Sequence, residues 1–183
     1  MRVISGSKKG FRLKSPKGKD TRPTEDRIKE SLFNILRNII ENSIVLDLFA
    51  GSGSIGIEFL SRGSGKVYFV DKSLDSIRCI KDNLDHTGFK DKGEIIKNEA
   101  IKSINFFKKK DIRFDYIFID PPYGHNLIDK TLKKIYESNI LVQEGIIILE
   151  HEKDLILKEN IYNLTKIDYR NYGHKSLSFY TKK

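Results

Sequence analysis

From residue 44 onward, the chain alternates between short apolar runs and stretches with helical periodicity, and this alternation limits the fold more than any other feature. The apolar runs are five or six residues long and are apolar on both sides. Strands of this kind belong to parallel sheets whose two faces are covered by helices. The first five predicted strands are Ile44–Leu48, Lys66–Val70, Gly93–Lys97, Phe114–Ile119 and Gly145–Glu150. The predicted helices lie near Ser54–Ser61, Leu74–His86, Ala100–Phe107 and Leu127–Glu137.

Two further strands are predicted near Tyr162–Tyr169 and Lys175–Thr181. No helical pattern separates them, which predicts an antiparallel pair. The sequence therefore predicts an α/β fold with a doubly wound, mostly parallel, Rossmann-like sheet of seven strands and helices on both faces.

Ahead of the sheet, the sequence predicts a small N-terminal β-hairpin, a loop and a helix. Arg2–Ser5 and Gly10–Lys14 are the predicted hairpin strands, and residues 15–23 are rich in Ser, Pro, Gly and Lys. Thr24 can cap a helix whose apolar residues keep helical spacing to about Ile40. We expect a single structural domain overall, with residues 1–23 as a basic extension of a domain at 24–183.

Positive charge is concentrated at the start of the chain. The net charge is +9, and residues 1–24 hold eight Lys and Arg residues against Asp20 alone, a balance of +7. Such a surface around Phe11 is typical of contact with nucleic-acid phosphates. A solvated terminus would carry the same charge, although the alternating apolar residues of this segment favour an anchored one. The predicted nucleic-acid-binding residues are Lys8, Lys9, Arg12, Lys14, Arg22 and Arg27.

The cysteine count and the hydropathy indicate the compartment. Cys79 is the single cysteine, which excludes an internal disulfide framework and favours a reducing environment. The first residues lack the apolar stretch of a signal peptide, and no window approaches the roughly 20 apolar residues of a membrane span. We therefore expect a cytoplasmic protein without a membrane partner. The four histidines show no metal-ligand spacing, so we expect no metal.

A glycine-rich turn follows the first predicted strand. Residues 51–56 read G-x-G-x-x-G, which allows a tight turn, close backbone approach to a ligand and close helix packing. Asp71 follows the second strand, where a carboxylate can accept hydrogen bonds from both hydroxyls of a ribose. These features fit either a nicotinamide dinucleotide or S-adenosylmethionine.

Asp47, which ends the first strand, distinguishes between these two cofactors. Its carboxylate would repel a pyrophosphate but attract the sulfonium and the α-ammonium of S-adenosylmethionine. Glu99 or Asn98, after the third strand, would lie at the edge of the adenine. The predicted cofactor is therefore S-adenosyl-L-methionine, and the residues predicted to bind it are Asp47, Phe49, Gly51, Gly53, Asp71, Lys72, Asn98, Glu99 and Asp120.

A second motif, Asp120-Pro121-Pro122-Tyr123, ends the fourth strand. This strand lies beside the first in a doubly wound sheet, so both motifs would meet in one cleft. Asp120 and the carbonyl of Pro121 can accept hydrogen bonds from an exocyclic amino group, because the prolines carry no competing N–H. Tyr123 can stack on a planar base. We predict these four residues as catalytic, although an ordinary strand-ending turn would account for the tetrapeptide by itself.

Together these motifs closely resemble the RsmD family of bacterial 16S rRNA (guanine-N2) methyltransferases, within the class I S-adenosylmethionine-dependent fold. The resemblance runs nearly from end to end, and it is carried by Arg2–Gly6, Arg22–Asn34, the glycine turn, Asp120–Tyr123, and Tyr172–Gly173 with Leu177–Tyr180. One departure is Lys29, which stands where the family usually has Arg.

The resemblance implies methylation of one guanine N2 in 16S rRNA, with the 30S subunit or its assembly intermediate as partner. It also implies that Asp47, Gly51, Gly53 and Asp71 contact the cofactor and that the Asp120–Tyr123 tetrapeptide contacts the base. We expect a monomer, and we expect the guanine to be flipped or captured unpaired because a stacked base is inaccessible.

Three other functions fit parts of the sequence. A DNA adenine-N6 methyltransferase uses a similar tetrapeptide but usually carries a sizeable target-recognition region, for which this chain has little room. A non-catalytic RNA-binding protein of the same fold would not need the intact acids and glycines of the two motifs. A nicotinamide oxidoreductase leaves Asp120–Tyr123 unexplained.

Overall fold

In the computed structural model, a single eight-stranded sheet organises the chain. The structure describes residues 1–16, 23–122 and 125–182, with the backbone alone for residues 23–25 and 125–126. Its strands are β1 (Ile44–Asp47), β2 (Lys66–Asp71), β3 (Gly93–Lys97), β4 (Phe114–Ile119), β5 (Leu141–Glu152), β6 (Asn160–Ile161), β7 (Leu164–Tyr172) and β8 (Lys175–Lys182). Their order is β3-β2-β1-β4-β5-β8-β7-β6. The first five in this order are parallel, and the remaining pairings are antiparallel.

Helices cover both faces of this sheet. They are α1 (Pro23–Leu36), α2 (Ser54–Ser61), α3 (Leu74–Thr87), α4 (Ala100–Lys109) and α5 (His125–Ser138), with a short 3-10 helix at Lys90–Lys92. One buried core joins α1, α2 and α3 to the face that carries Val45 and Phe118. A second core joins α4 and α5 to the opposite face, which carries Leu46 and Ile117. The doubly wound α/β prediction is therefore confirmed.

Within the described ranges, no helix is long and apolar enough to cross a membrane.

Three of the differences from the sequence prediction have a physical reason in the structure. The sheet has eight strands rather than seven, because two-residue β6 is too short to show an alternating pattern. Helix α1 ends at Leu36 rather than near Ile40, because Arg37 adopts a left-handed φ of 55°. Strand β5 begins at Leu141 rather than at Gly145, since an irregularity in its pairing with β4 accommodates the additional residues.

The predicted N-terminal hairpin is present. The N–H of Val3 donates to the carbonyl of Phe11 at 2.9 Å, the N–H of Gly10 donates to the carbonyl of Val3 at 2.9 Å, and an antiparallel bridge joins Arg2 to Arg12. Val3 and Leu13 are buried in the core beside α1 and α2. The hairpin is therefore anchored on the domain rather than solvated.

A buried carboxylate holds the first hairpin strand. Glu58, on α2, is fully buried and accepts hydrogen bonds from the backbone N–H groups of Ile4 and Ser5 at 2.8 and 2.9 Å. Its other contacts are an ion pair with Arg62 at 2.9 Å and one with Lys29 at 3.7 Å. Buried carboxylates are stable only with such compensation, so this network fixes where the hairpin lies.

The second hairpin strand is held by α3. The side-chain amide of buried Asn83 accepts from the N–H of Lys14 at 2.8 Å and donates to the carbonyl of Lys14 at 3.0 Å. It also donates to the carbonyl of Ser52, in the glycine turn, at 2.9 Å. The thiol of Cys79 donates to the Lys14 carbonyl as well, at 3.2 Å, which agrees with a packing role for this cysteine.

Candidate active site

A cleft of about 150 Å³ lies at the carboxyl ends of β1, β4 and β5. Asp47, Asp120 and Glu150 come from these three ends, and all three line the cleft. The remaining walls are the glycine turn, the beginning of α1, Lys175 at the start of β8, and Met1, Ser15 and Pro16 beside the hairpin. The sheet therefore brings the two sequence motifs together, as predicted, at the switch point between β1 and β4.

The glycine turn has the geometry that its sequence requires. Gly51 and Gly53 adopt left-handed φ values of 55° and 76°. At Gly56, an added Cβ would lie 2.2 Å from the ring of Phe69, so glycine alone lets α2 pack this closely on the sheet. Gly51 lines the cleft and carries no side chain, which suits close approach of a ligand to the backbone at this position.

Asp47 lies beneath the turn and is 1% exposed. The N–H of Gly56 donates to its carboxylate at 3.1 Å. Burial raises the pKa of Asp47 to about 7, and the negative charge of Asp71 acts in the same direction, while the hydrogen bond from Gly56 opposes them. An acid in this state favours a cation at the cleft, so the site fits S-adenosylmethionine and disfavours a pyrophosphate.

Asp71, at the end of β2, lies next to the turn. Its carboxylate accepts hydrogen bonds from the N–H groups of Gly51 at 2.9 Å and Ser73 at 2.8 Å, which fix its orientation. Asn98 follows the neighbouring strand, and its N–H donates to the backbone carbonyl of Asp71 at 3.1 Å. Both residues are half-buried, so their remaining acceptor capacity is accessible to a ligand.

The other predicted cofactor residues differ in position. Phe49 is half-buried and lines the cleft together with Asp47. Lys72 and Glu99 are exposed, and Glu99 pairs with Lys102 at 3.2 Å on the first turn of α4. Asn98 lies beside Asp71 and Glu99 is exposed next to it, and the choice between them for the adenine edge stays a prediction.

The predicted catalytic tetrapeptide begins where β4 ends. Asp120 and Pro121 are half-buried, Pro122 is exposed, and Asp120 lines the cleft. Tyr123 lies outside the described residues, so its stacking role stays a prediction. The acid of this motif therefore shares one cavity with Asp47.

The hairpin turn that carries Lys8 and Lys9 contacts Ser61, at the end of α2 that lies away from this cleft. Lys9, Arg12 and Arg27 are exposed, whereas Lys8 is half-buried with its ammonium 5.4 Å from the ring centroid of Phe11. Lys14 forms an ion pair with Asp82 at 2.8 Å, and this contact raises the pKa of Lys14. Arg22 lies outside the described residues. Their contact with nucleic acid stays a prediction.

Several residues that shape the site were not among the sequence predictions. Glu58 and Asn83 anchor the hairpin, and Lys29, 2% exposed, donates to the carbonyl of Arg2 at 2.6 Å. Lys29 therefore acts inside the protein, where its departure from the family's usual Arg is accommodated. Glu150 and Lys175 form an ion pair in the cleft. The signal for Glu150 was available, because it ends the predicted strand next to β4.

The topology and this cleft define a class I, S-adenosylmethionine-dependent methyltransferase. The chain belongs to the family described as "Conserved hypothetical protein 95", whose model matches residues 1–181, and this is the RsmD family that the motifs resemble.

Relatives of this chain carry methyltransferase names. YlbH of Bacillus subtilis, provisionally named an rRNA methyltransferase, is 38% identical over 183 residues, covering 100% of both chains. "Ribosomal RNA small subunit methyltransferase D" of Haemophilus influenzae is 37% identical over 164 residues, covering 87% of this chain and 84% of that protein. A solved structure of yhhF from Escherichia coli, provisionally named a methyltransferase, is 26% identical, with a TM-score of 0.86 over 100% of this chain and 98% of that one.

Proposed function

We propose that this enzyme transfers a methyl group from S-adenosylmethionine to the exocyclic N2 of a guanine in 16S rRNA. The observation that carries the proposal is the common cleft of Asp47 and Asp120, which places a cation-binding acid beside an acceptor for an amino group. The names of the relatives from Bacillus subtilis and Haemophilus influenzae support rRNA as the substrate. An rRNA substrate agrees with the cytoplasmic location that the sequence predicts, since ribosomal RNA is found in the cytoplasm.

The cofactor supplies a methyl group that its sulfonium activates. We assign its binding to Asp47, Phe49, Gly51, Gly53, Asp71, Lys72, Asn98, Glu99 and Asp120. Asp47 would attract the cationic part, and Asp71 would accept from the ribose. Ionised Asp47 has a hydrogen bond from Gly56 but is otherwise desolvated, so a bound cation would relieve the unfavourable charge.

Asp120 and the Pro121 carbonyl would hold the two hydrogens of the amino group. Because this nitrogen is conjugated with the purine ring, it is a weak nucleophile, and its orientation decides how well its lone pair meets the methyl group. Catalysis in this site is therefore mainly positioning and electrostatic matching. Tyr123 would stack on the base and keep it in plane.

The basic hairpin would contact the RNA backbone. Lys8, Lys9, Arg12 and Lys14 lie on a segment that Glu58 and Asn83 fix to the domain, and residues 15–16, which follow it, line the cleft. We assign Arg22 and Arg27 to the same surface. In this proposal residues 1–23 serve as an RNA-contacting extension of the domain at 24–183, and the enzyme acts as a monomer on the 30S subunit or its assembly intermediate.

Methyl transfer to defined substrates tests the proposal. Purified protein is incubated with labelled S-adenosylmethionine and, separately, 30S subunits from cells lacking this enzyme, free 16S rRNA, or DNA, and the nucleosides are then analysed. We expect label in N2-methylguanosine from 30S subunits. Label in N6-methyladenosine from DNA would replace the proposal with the DNA methyltransferase, and the absence of transfer to any of the three would reject it.

The Asp120→Ala variant tests the assigned site. We expect turnover to fall at least about 100-fold, since an oriented charged acceptor is lost at the reacting group, and the affinity for the cofactor to fall by a much smaller factor. Asp129→Asn, an exposed change on α5, is the matched control. Retained turnover in Asp120→Ala would place the reaction elsewhere.

A further inference from the structure

An ion pair occupies the half of the cleft that lies away from the glycine turn. Glu150 is 8% exposed, and its carboxylate pairs with the ammonium of Lys175. Both residues line the same cavity as Asp120. A carboxylate and an ammonium lose hydration when they are placed together in a cleft, so the pair is weak evidence of a purely stabilising role.

The register of the sheet places these residues in a row. Ile119 pairs with Leu149, so Asp120 lies alongside Glu150 on the next strand. Leu177 pairs with Glu150, and Lys175 precedes it by two residues on β8. Phe118, Ile148 and Leu177 belong to one core on one face of the sheet. Residues two positions away share that face, so Asp120, Glu150 and Lys175 all point to the side of the cleft.

Along this row, Asp120 and Glu150 offer hydrogen-bond acceptors and Lys175 offers a donor. The Watson–Crick edge of guanine has the complementary order, with donors at N2 and N1 and an acceptor at O6. We propose, on the basis of the function proposed above, that Glu150 accepts the N1–H and Lys175 donates to O6 of the guanine whose N2 is held by Asp120. Reading an extracted base along this edge is how base-modifying enzymes select it.

The same arrangement rejects the other bases that carry an amino group. Adenine and cytosine place a ring nitrogen with a lone pair next to the amino group, and the carboxylate of Glu150 would repel it. A site built from fixed polar groups discriminates strongly, because a mismatched base leaves those groups desolvated and unpaired. Glu150 and Lys175 are thus specificity-determining residues for guanine.

Exchange of the two charges separates base reading from mere stabilisation. The double variant Glu150→Lys with Lys175→Glu keeps an ion pair but inverts the order of donor and acceptor. Glu150→Gln and Lys175→Met remove one charge each. The matched control is Glu159→Gln, which disrupts the ion pair between Glu159 and Lys166 (3.0 Å) outside the cleft. Each variant is assayed on 30S subunits for kcat and KM, for cofactor affinity by calorimetry and for Tm.

We expect both single variants to lose about 10–100-fold in kcat/KM, with cofactor affinity unchanged, because each removes a charged hydrogen bond to the base. The exchanged pair should remain as inactive as the single variants, while Glu159→Gln behaves as the wild type. Restored turnover in the exchanged pair would overturn the proposal, since it would show that the ion pair itself suffices.

If the exchanged variant fails to fold, Lys175→Met decides: unchanged turnover on 30S subunits overturns the proposal, and lost turnover with intact cofactor binding supports it. The proposed function fails separately, when the wild-type protein makes no N2-methylguanosine.

Discussion

The raised pKa of Asp47 predicts that cofactor binding depends on pH. In the free protein this carboxyl is protonated below about pH 7, whereas a bound sulfonium and ammonium favour the ionised form. Binding must therefore release a proton below pH 7, and affinity must fall as the pH falls through that value. If the cation lowers the pKa of Asp47 well below 5.5, the dissociation constant should rise about 25-fold between about pH 7.5 and about pH 5.5.

Calorimetry measures both the affinity and the proton released. Titrations of S-adenosylmethionine are repeated in buffers of different ionisation enthalpy, because the observed heat then reports the number of protons lost. Asp47→Asn is the control, since it cannot ionise. Its affinity for the cofactor should be weaker than that of the wild type at pH 7.5 and nearly independent of pH. Any pH dependence that remains in this variant measures the contribution of other titrating groups.

The stability of the cofactor-free protein gives an independent check with a definite sign. The pKa of Asp47 is raised from an ordinary value of 3.8 to about 7, so the folded state binds more protons than the unfolded state between these values. The contribution of Asp47 to stability therefore falls as the pH rises through this window.

Above pH 7, Asp47→Asn should stabilise the cofactor-free protein by up to about 4 kcal/mol, and near pH 4 it should have little effect. A flat pH dependence of both binding and stability would refute the role that we assign to this carboxylate.

Three further predictions concern the hairpin and the turn. In denaturant titrations, Glu58→Gln should lower the free energy of unfolding by about 3–5 kcal/mol, because it breaks a fully buried charge network. The control is Glu94→Gln, which removes an exposed ion pair with Lys66 and should lower it by at most about 1 kcal/mol. Equal losses would contradict this reading of Glu58. Gly56→Ala should destabilise the protein by about 1–3 kcal/mol, because the added methyl group clashes with the ring of Phe69. Ser54→Ala is the control, and an unchanged Tm of Gly56→Ala would show that α2 can shift away from the sheet at no cost. Neutralising Lys8, Lys9 and Lys14 should weaken RNA binding and flatten its salt dependence. Neutralising Lys108, Lys109 and Lys110 is the control and should change neither. An unchanged slope of affinity against salt concentration in the first variant would show that the hairpin charge does not contact RNA.

Most of the fold could be predicted because the central strands β1, β2 and β4 are almost fully buried. In a parallel sheet the apolar run itself marks the strand, so the bounds of β4 were predicted to the residue, as were those of half-buried β3 and of helix α2. The end of α1 was not, because the left-handed turn at Arg37 lies within a continuing apolar pattern. Strand β6 was missed because its two residues acquire their structure from pairing with β7 rather than from local sequence.

Some parts of the candidate site could likewise be predicted from the sequence, and others could not. Asp47, the glycine turn and Asp120 could be placed together, since topology brings the carboxyl ends of adjacent parallel strands into one cleft. The contacts of Glu58 and Asn83 with the hairpin and the glycine turn could not, because these backbone partners lie 31 to 69 residues away in the sequence. Charge alone would also have suggested that Lys29 faces the solvent, whereas its side chain is buried in the fold.

The side chain of Asn83 has a consequence for the order in which ligands bind. One amide holds both the backbone of Lys14, in the basic hairpin, and the carbonyl of Ser52, in the glycine turn. A ligand that immobilises the glycine turn therefore reduces the entropy cost of ordering the hairpin when the second ligand binds. A ligand that immobilises the hairpin reduces the cost of ordering the turn in the same way. The coupling free energy must be the same in both directions, so the factor by which RNA tightens the cofactor equals the factor by which the cofactor tightens RNA. Replacing this one amide should weaken the coupling between the two binding events.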